Sequence, residues 1–163
     1  MTTRTRTARS KDAVPEAART LVGPAELAAA VRREWLVEGV LLAGTPAVVA
    51  GGRVELTRLA VDLAVGLATG TSFLGKFPVP RRRRVALYCC DADPADVAEQ
   101  ARLVAAARGA DLAAAWLHWG RRVPAFMTRA GWEVTVREVR EAGAEVVVID
   151  PVVRALRTGD APD

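Results

Sequence analysis

The chain has 163 residues, 51% of them apolar and 26% charged, which suffices for the core of one domain and excludes a wholly disordered protein. No apolar run reaches the ~18 uncharged residues that a membrane span requires, so the expectation is a soluble protein with no membrane partner. The formal charge of +4 rests on 23 basic residues, of which only Lys11 and Lys76 are lysines, and it permits nucleic-acid contact without requiring it.

Residues 1–22 are polar and basic and have no apolar core of the secretory type, so they are expected to form a disordered arm rather than a signal. From residue 23 to 163 one domain is expected. Pro24 opens a short helix reaching Glu34, with apolar residues at helical spacing. Residues 35–42 lead into a first core strand over 46–50, and a helix over 56–69 follows, closed by Gly70. Residues 71–80 are a loop with apolar anchors. Residues 84–90 form an almost continuous apolar run, as expected of a strand covered on both faces. Pro94 starts a helix over 95–108, with Asp93 and Asp96 as acids at its positive end. A short third strand is predicted over 116–120, a helix over 130–142 closed by Gly143, and the strongest strand over 145–151. Strands alternating with helices imply an α/β fold with a mainly parallel sheet.

The two cysteines, Cys89 and Cys90, are adjacent, and neighbours of this kind seldom bridge. With His118 the one histidine, no Cys/His zinc site is available. Buried thiols in a reducing compartment fit best, so a cytoplasmic location is expected.

Chemistry in such sheets gathers beyond the carboxyl ends of the strands. The segment from Thr45 to Thr57 is an apolar strand, a glycine pair and a helix start, the layout of a phosphate-binding loop. A working loop reads G-x-x-x-x-G-K-[ST]: amides cradle phosphates, lysine reaches the β and γ phosphates, and the hydroxyl holds Mg²⁺. Setting Thr57 at the hydroxyl position makes Ala50, Gly51, Gly52, Arg53, Val54, Glu55, Leu56 and Thr57 the nucleotide-binding stretch. In that frame Ala50 replaces the first glycine, Glu55 the second and Leu56 the lysine. Asp150, ending the aliphatic run 146–149, has the pattern of the Walker B carboxylate, which orients Mg²⁺ opposite the hydroxyl. An Asp-Pro pair after a buried strand is also an ordinary turn.

Five stretches resemble one family: Trp35-Leu-Val-Glu-Gly-Val, Leu59-Ala-Val-Asp-Leu-Ala64, Leu67-Ala-Thr-Gly-Thr-Ser-Phe-Leu-Gly75, Phe77-Pro-Val-Pro-Arg81 and Val146-Val-Val-Ile-Asp-Pro151. Together they look like the RecA-like P-loop ATPases of the AAA family ATPase group that includes RepA-type hexameric helicases. The resemblance implies a RecA-like P-loop NTPase arrangement, ATP and Mg as cofactors held by Thr57 and Asp150, DNA as a partner, and Asp91 in the place of the water-positioning glutamate. Aspartate is one methylene shorter, and about 1 Å of misplacement costs roughly a hundredfold in rate. Leu56 removes a cation and Glu55 adds an anion beside the expected triphosphate, so hydrolysis is expected to be absent or very slow. Arg53 is the nearby cation that would substitute. Family members continue with further core strands after Walker B, so the fold is expected to be incomplete. The expectation is self-association or a partner chain that supplies strands. The competing reading is a non-catalytic pseudo-ATPase or truncated remnant that acts as an interaction module.

Other candidates have plainer readings. Arg81, Arg82, Arg83 and Arg84 would neutralise nucleic-acid phosphates, but the simpler expectation is a solvated loop at the amino end of the second strand. The tryptophans at 35, 116, 119 and 132 would stack on bases, or more simply pack the core and its rim. His118 has no nucleophile at a familiar spacing, the serines being Ser10 and Ser72.

Overall fold

The computed structural model describes residues 23–24, 34–51, 53–89, 91–120 and 128–155. The expected arm over 1–22, nearly all of the helix expected over 24–34, Gly52 and Cys90 lie outside the described residues. The chain divides into two units, Met1–Arg32 and Arg33–Asp163. In the first only Gly23 and Pro24 are described, both exposed, and every strand and helix named below belongs to the second.

The apolar run expected to be covered on both faces is strand β3, Val85–Cys89, with Val85, Ala86, Leu87 and Tyr88 all buried. Two antiparallel strands precede it, β1 (Trp35–Val37) and β2 (Leu41–Leu42). Helix α1, Arg53–Thr69, follows β2 and stops at Gly70, whose φ of 78° is the left-handed conformation that glycine adopts without a Cβ penalty. After β3 come α2 (Pro94–Ala107), β4 (Leu117–Gly120), α3 (Arg129–Glu141), β5 (Val146–Asp150) and the single turn α4 (Val152–Ala155). Proline at the start and an Asp93 side chain accepting from the Ala95 amide fix the beginning of α2. Thr128 does the same for α3 by accepting from the Gly131 amide.

The sheet has the order β4-β3-β5, and both pairings are parallel, with Val85 opposite Leu117 and Val146. Alternation along β3 sends Val85 and Leu87 to one face. There they meet Val61, Ala64, Val65, Leu67 and Ala68 of α1 and Val97, Ala101 and Ala105 of α2 in the main core. Tyr88 lies on the other face, where its hydroxyl donates to Glu138 of α3 at 3.1 Å. Burial first, then that carboxylate, push the phenol up to about 12. The architecture is thus α/β, with a parallel sheet flanked by helices.

The first core strand expected over 46–50 does not form. Those residues are exposed, Val48 by 82%, and they pair with no described strand. A strand exists only where an edge completes its hydrogen bonds, and β5 has β3 as its one described neighbour. The apolar sequence is right for a strand; the partner edge is what is lacking. The tryptophans also differ from expectation. All four are between 39% and 56% exposed, so they sit on the rim and none is in the core. His118 is a surface residue of β4, and Cys89 is half-buried at the end of β3.

The arginine run is not a uniformly solvated loop. Arg83 is buried, with its guanidinium 2.6 Å from Glu34 and 3.2 Å from Glu145, and its amide donates to the Leu67 carbonyl near the end of α1. The hydrogen bond from Arg81, then that from Arg83, hold Glu34 down to about 2. A second ion pair, Arg108 with Asp62, joins the end of α2 to α1, and Asp62 also accepts the Leu74 amide at 2.8 Å.

Two outcomes follow from this packing. A Cβ on Gly120 would lie 2.0 Å from the Tyr88 ring, so Gly120→Val should cost about 2–3 kcal/mol in urea unfolding. Glu34 is depressed in the folded state, so its contribution is complete above its ordinary 4.5 and is lost as pH falls towards about 2. Thermal melts across that window should fall steeply for the natural chain and less steeply for Glu34→Gln.

Candidate functional site

The carboxyl ends of β3 and β5 lie side by side, with Cys89 opposite Asp150. α1 is packed against the same strands through Val61 and Val65, and this brings its first turns over the end of β5. Thr57 on α1 donates its hydroxyl to Asp150 Oδ2 at 2.5 Å, across 93 residues of sequence. The two groups belong to separate motifs of the sequence, and the structure puts them in contact. They open into a cleft of about 870 Å³ that Leu56, Arg58 and Asp91 also line. Asp91 is exposed at its mouth, two residues beyond β3.

The remaining wall comes from α2. Asp93, Asp96, Glu99, Gln100 and Leu103 face the cleft. Positions 96, 99, 100 and 103 form a single face at helical spacing, a periodicity that the sequence displays and that would have found them. Asp96, at the positive end of α2, is also part of the cleft wall. Asp93 is the α2 cap as well. Glu99 is ion-paired with Arg102 at 2.6 Å, which holds its carboxyl below the usual range. Five carboxylates therefore surround the cleft, and Arg58 is the one basic side chain among the described residues that line it.

The stretch expected to cradle phosphate is arranged differently from a working loop. Ala50 and Gly51 are exposed and do not line the cleft. A Cβ on Gly51 would meet only the Leu56 side chain at 3.6 Å, so no close backbone approach demands glycine there. Gly52 is outside the described residues. Arg53, Val54 and Glu55 are already helical, since α1 begins at Arg53 and not at Leu56. Glutamate and leucine are strong helix formers, whereas glycine costs about 1 kcal/mol in a helix. Glu55 and Leu56 therefore let the helix wind back about one turn into the loop. The amides of Leu56 and Thr57 then lie past the unpaired amides of the first turn, in positions that bond within the helix.

A divalent cation is compatible with the two oxygens at 2.5 Å. Mg²⁺ takes one or two protein oxygens and completes its shell with water and phosphate, so it needs no dense carboxylate cluster. Among the described residues no group of three or more His, Cys, Asp or Glu is placed to hold a metal by itself.

Comparison with known proteins adds the decisive observation. A family model described as AAA domain matches residues 13–163. The chain belongs to the AAA domain family. No curated protein and no solved structure matched it. Membership of an AAA domain family gives nucleotide and Mg²⁺ binding as the general function of the fold. Among the described residues no helix is long and apolar enough to cross a membrane.

The Thr57–Asp150 contact gives a direct test. Thr57→Val keeps the side-chain volume and removes the donor, and it should cost about 1–2 kcal/mol in urea unfolding.

Proposed function

We propose that this AAA domain binds ATP with Mg²⁺ weakly at the cleft between α1 and β5, and that its hydrolysis is absent or very slow. The observation that supports binding is the Thr57 hydroxyl on the Asp150 carboxylate at the carboxyl end of the sheet. These two residues would hold Mg²⁺, whose charge offsets that of the phosphates when it is bound. Arg58, from the cleft wall, is placed to contact a phosphate oxygen, and Arg53 is the other cation close in sequence. Asp91 would hold the attacking water by accepting its hydrogen bond.

Slow chemistry follows from what surrounds these groups. Leu56 presents a hydrocarbon where a γ-phosphate needs a cation, and acids on α2 oppose an incoming tetra-anion. In descent the reading places the chain with the RecA-like and RepA-like DNA-associated ATPases, on the five stretches of resemblance. A second reading, a pseudo-ATPase that serves as an interaction module, is favoured by one specific observation: α1 begins at Arg53 and draws the amides of Leu56 and Thr57 into the helix.

A titration with a fluorescent ATP analogue separates the two. Saturable binding that requires Mg²⁺ and is lost in both Thr57→Ala and Asp150→Ala supports the first reading. Absence of binding at millimolar nucleotide supports the second. The double variant Glu55→Gly, Leu56→Lys should unwind the first turn, return the cation and tighten binding at least tenfold. An unchanged affinity would show that the frame set on Thr57 is wrong.

A further inference from the structure

The four arginines 81–84 divide by direction. Arg83 turns inward to Glu34 and Glu145, and Arg81 is hydrogen-bonded to Glu34 at 2.7 Å, so both charges are matched by carboxylates. Arg82 and Arg84 turn to the other side, where their guanidiniums lie 4.6 and 5.6 Å from the centre of the Trp116 ring. Both are exposed, and neither has a carboxylate within ion-pair distance among the described residues. Trp116 is 46% exposed.

This trio is held in place. Arg82 donates to the Ala114 carbonyl at 2.6 Å and to the Ala68 carbonyl at 3.3 Å. The Trp116 amide donates to Ala68 and its carbonyl accepts from Val85, so the indole is anchored from both sides of its own backbone. The result is a fixed aromatic flanked by two guanidiniums with no carboxylate partner among the described residues. It stands at the amino ends of β3 and β4, on the rim opposite the acidic cleft.

We propose that Arg82, Trp116 and Arg84 form a contact site for single-stranded nucleic acid. Guanidinium forks pair with phosphate oxygens, and guanidinium and indole planes both accept stacked bases. A duplex keeps its bases paired and offers the trio only phosphates, whereas a single strand offers both. An acidic peptide would satisfy the charges but leave the aromatic unused. The site shares no residue with the ATP cleft, so it stands whether or not nucleotide binds there.

The test is fluorescence anisotropy of a labelled oligothymidylate of about 20 nucleotides, titrated with the full chain between about 50 and 200 mM salt. Arg84 is exposed and its guanidinium lies over Trp116, so Arg84→Gln should keep the fold, checked by its thermal melt. It should weaken binding about fivefold to tenfold at low salt and make the slope of log affinity against log salt shallower by about 0.7. Trp116→Ala should weaken binding by a similar factor. Arg129→Gln removes the same charge from a residue that is 93% exposed and paired with Glu133, and it should bind like the natural chain. The proposal is overturned if the natural chain does not bind the oligonucleotide, or if it binds duplex or polyglutamate as well as the single strand. It is also overturned if Arg84→Gln and Trp116→Ala bind as the natural chain does.

Discussion

Ninety-three residues separate Thr57 from Asp150, and the site depends on their meeting through one hydrogen bond. The contact is possible only because α1 lies flat on the sheet, with Val61, Ala64, Val65, Leu67 and Ala68 all buried against β3 and its neighbours. Apolar burial supplies the driving force, and the hydroxyl-to-carboxylate bond fixes the register of helix on strand. Shifting α1 by one residue would turn Thr57 about 100° away from Asp150 and expose part of the buried stripe. The core and the site therefore impose the same alignment.

Local chemistry carried most of the legible information. β3, β4 and β5 were readable as apolar runs, α2 from Pro94 and the acids at its start, and α3 from the closing Gly143. Asp150 and Thr57 were readable because each sits in a motif with a mechanism. The misreadings share a cause, which is that they turned on partners remote in sequence. Residues 46–50 have the composition of a strand, but strand formation depends on an edge elsewhere in the fold. Arg83 reads as one of four equal arginines until Glu34 and Glu145 are placed beside it. Asp93 and Asp96 read as acids at a helix start, and the spacing of 96, 99, 100 and 103 marks one face of α2, but the sequence does not say that this face lines the cleft.

The early start of α1 bears on the proposed nucleotide site in two ways. In the frame set on Thr57, Leu56 offers no charge where a phosphate-binding loop carries lysine, and Glu55 offers no conformational break where it carries glycine, which agrees with a helix that already begins at Arg53. Under the proposed reading the first difference would weaken what the loop holds, and the second would alter the shape of the loop itself.

The far end of the same helix has its own fastening. α1 has no basic residue in its last turn, yet its carbonyls are not left to solvent: Leu67 accepts from the Arg83 amide, and Ala68 from the Trp116 amide and the Arg82 guanidinium. At 17 residues the helix is about 25 Å long. It is held near one end by Asp150 and at the other by Arg82, Arg83 and Trp116, so it is a strut between two rims of opposite charge. A strut bonded at both ends resists sliding along its own axis.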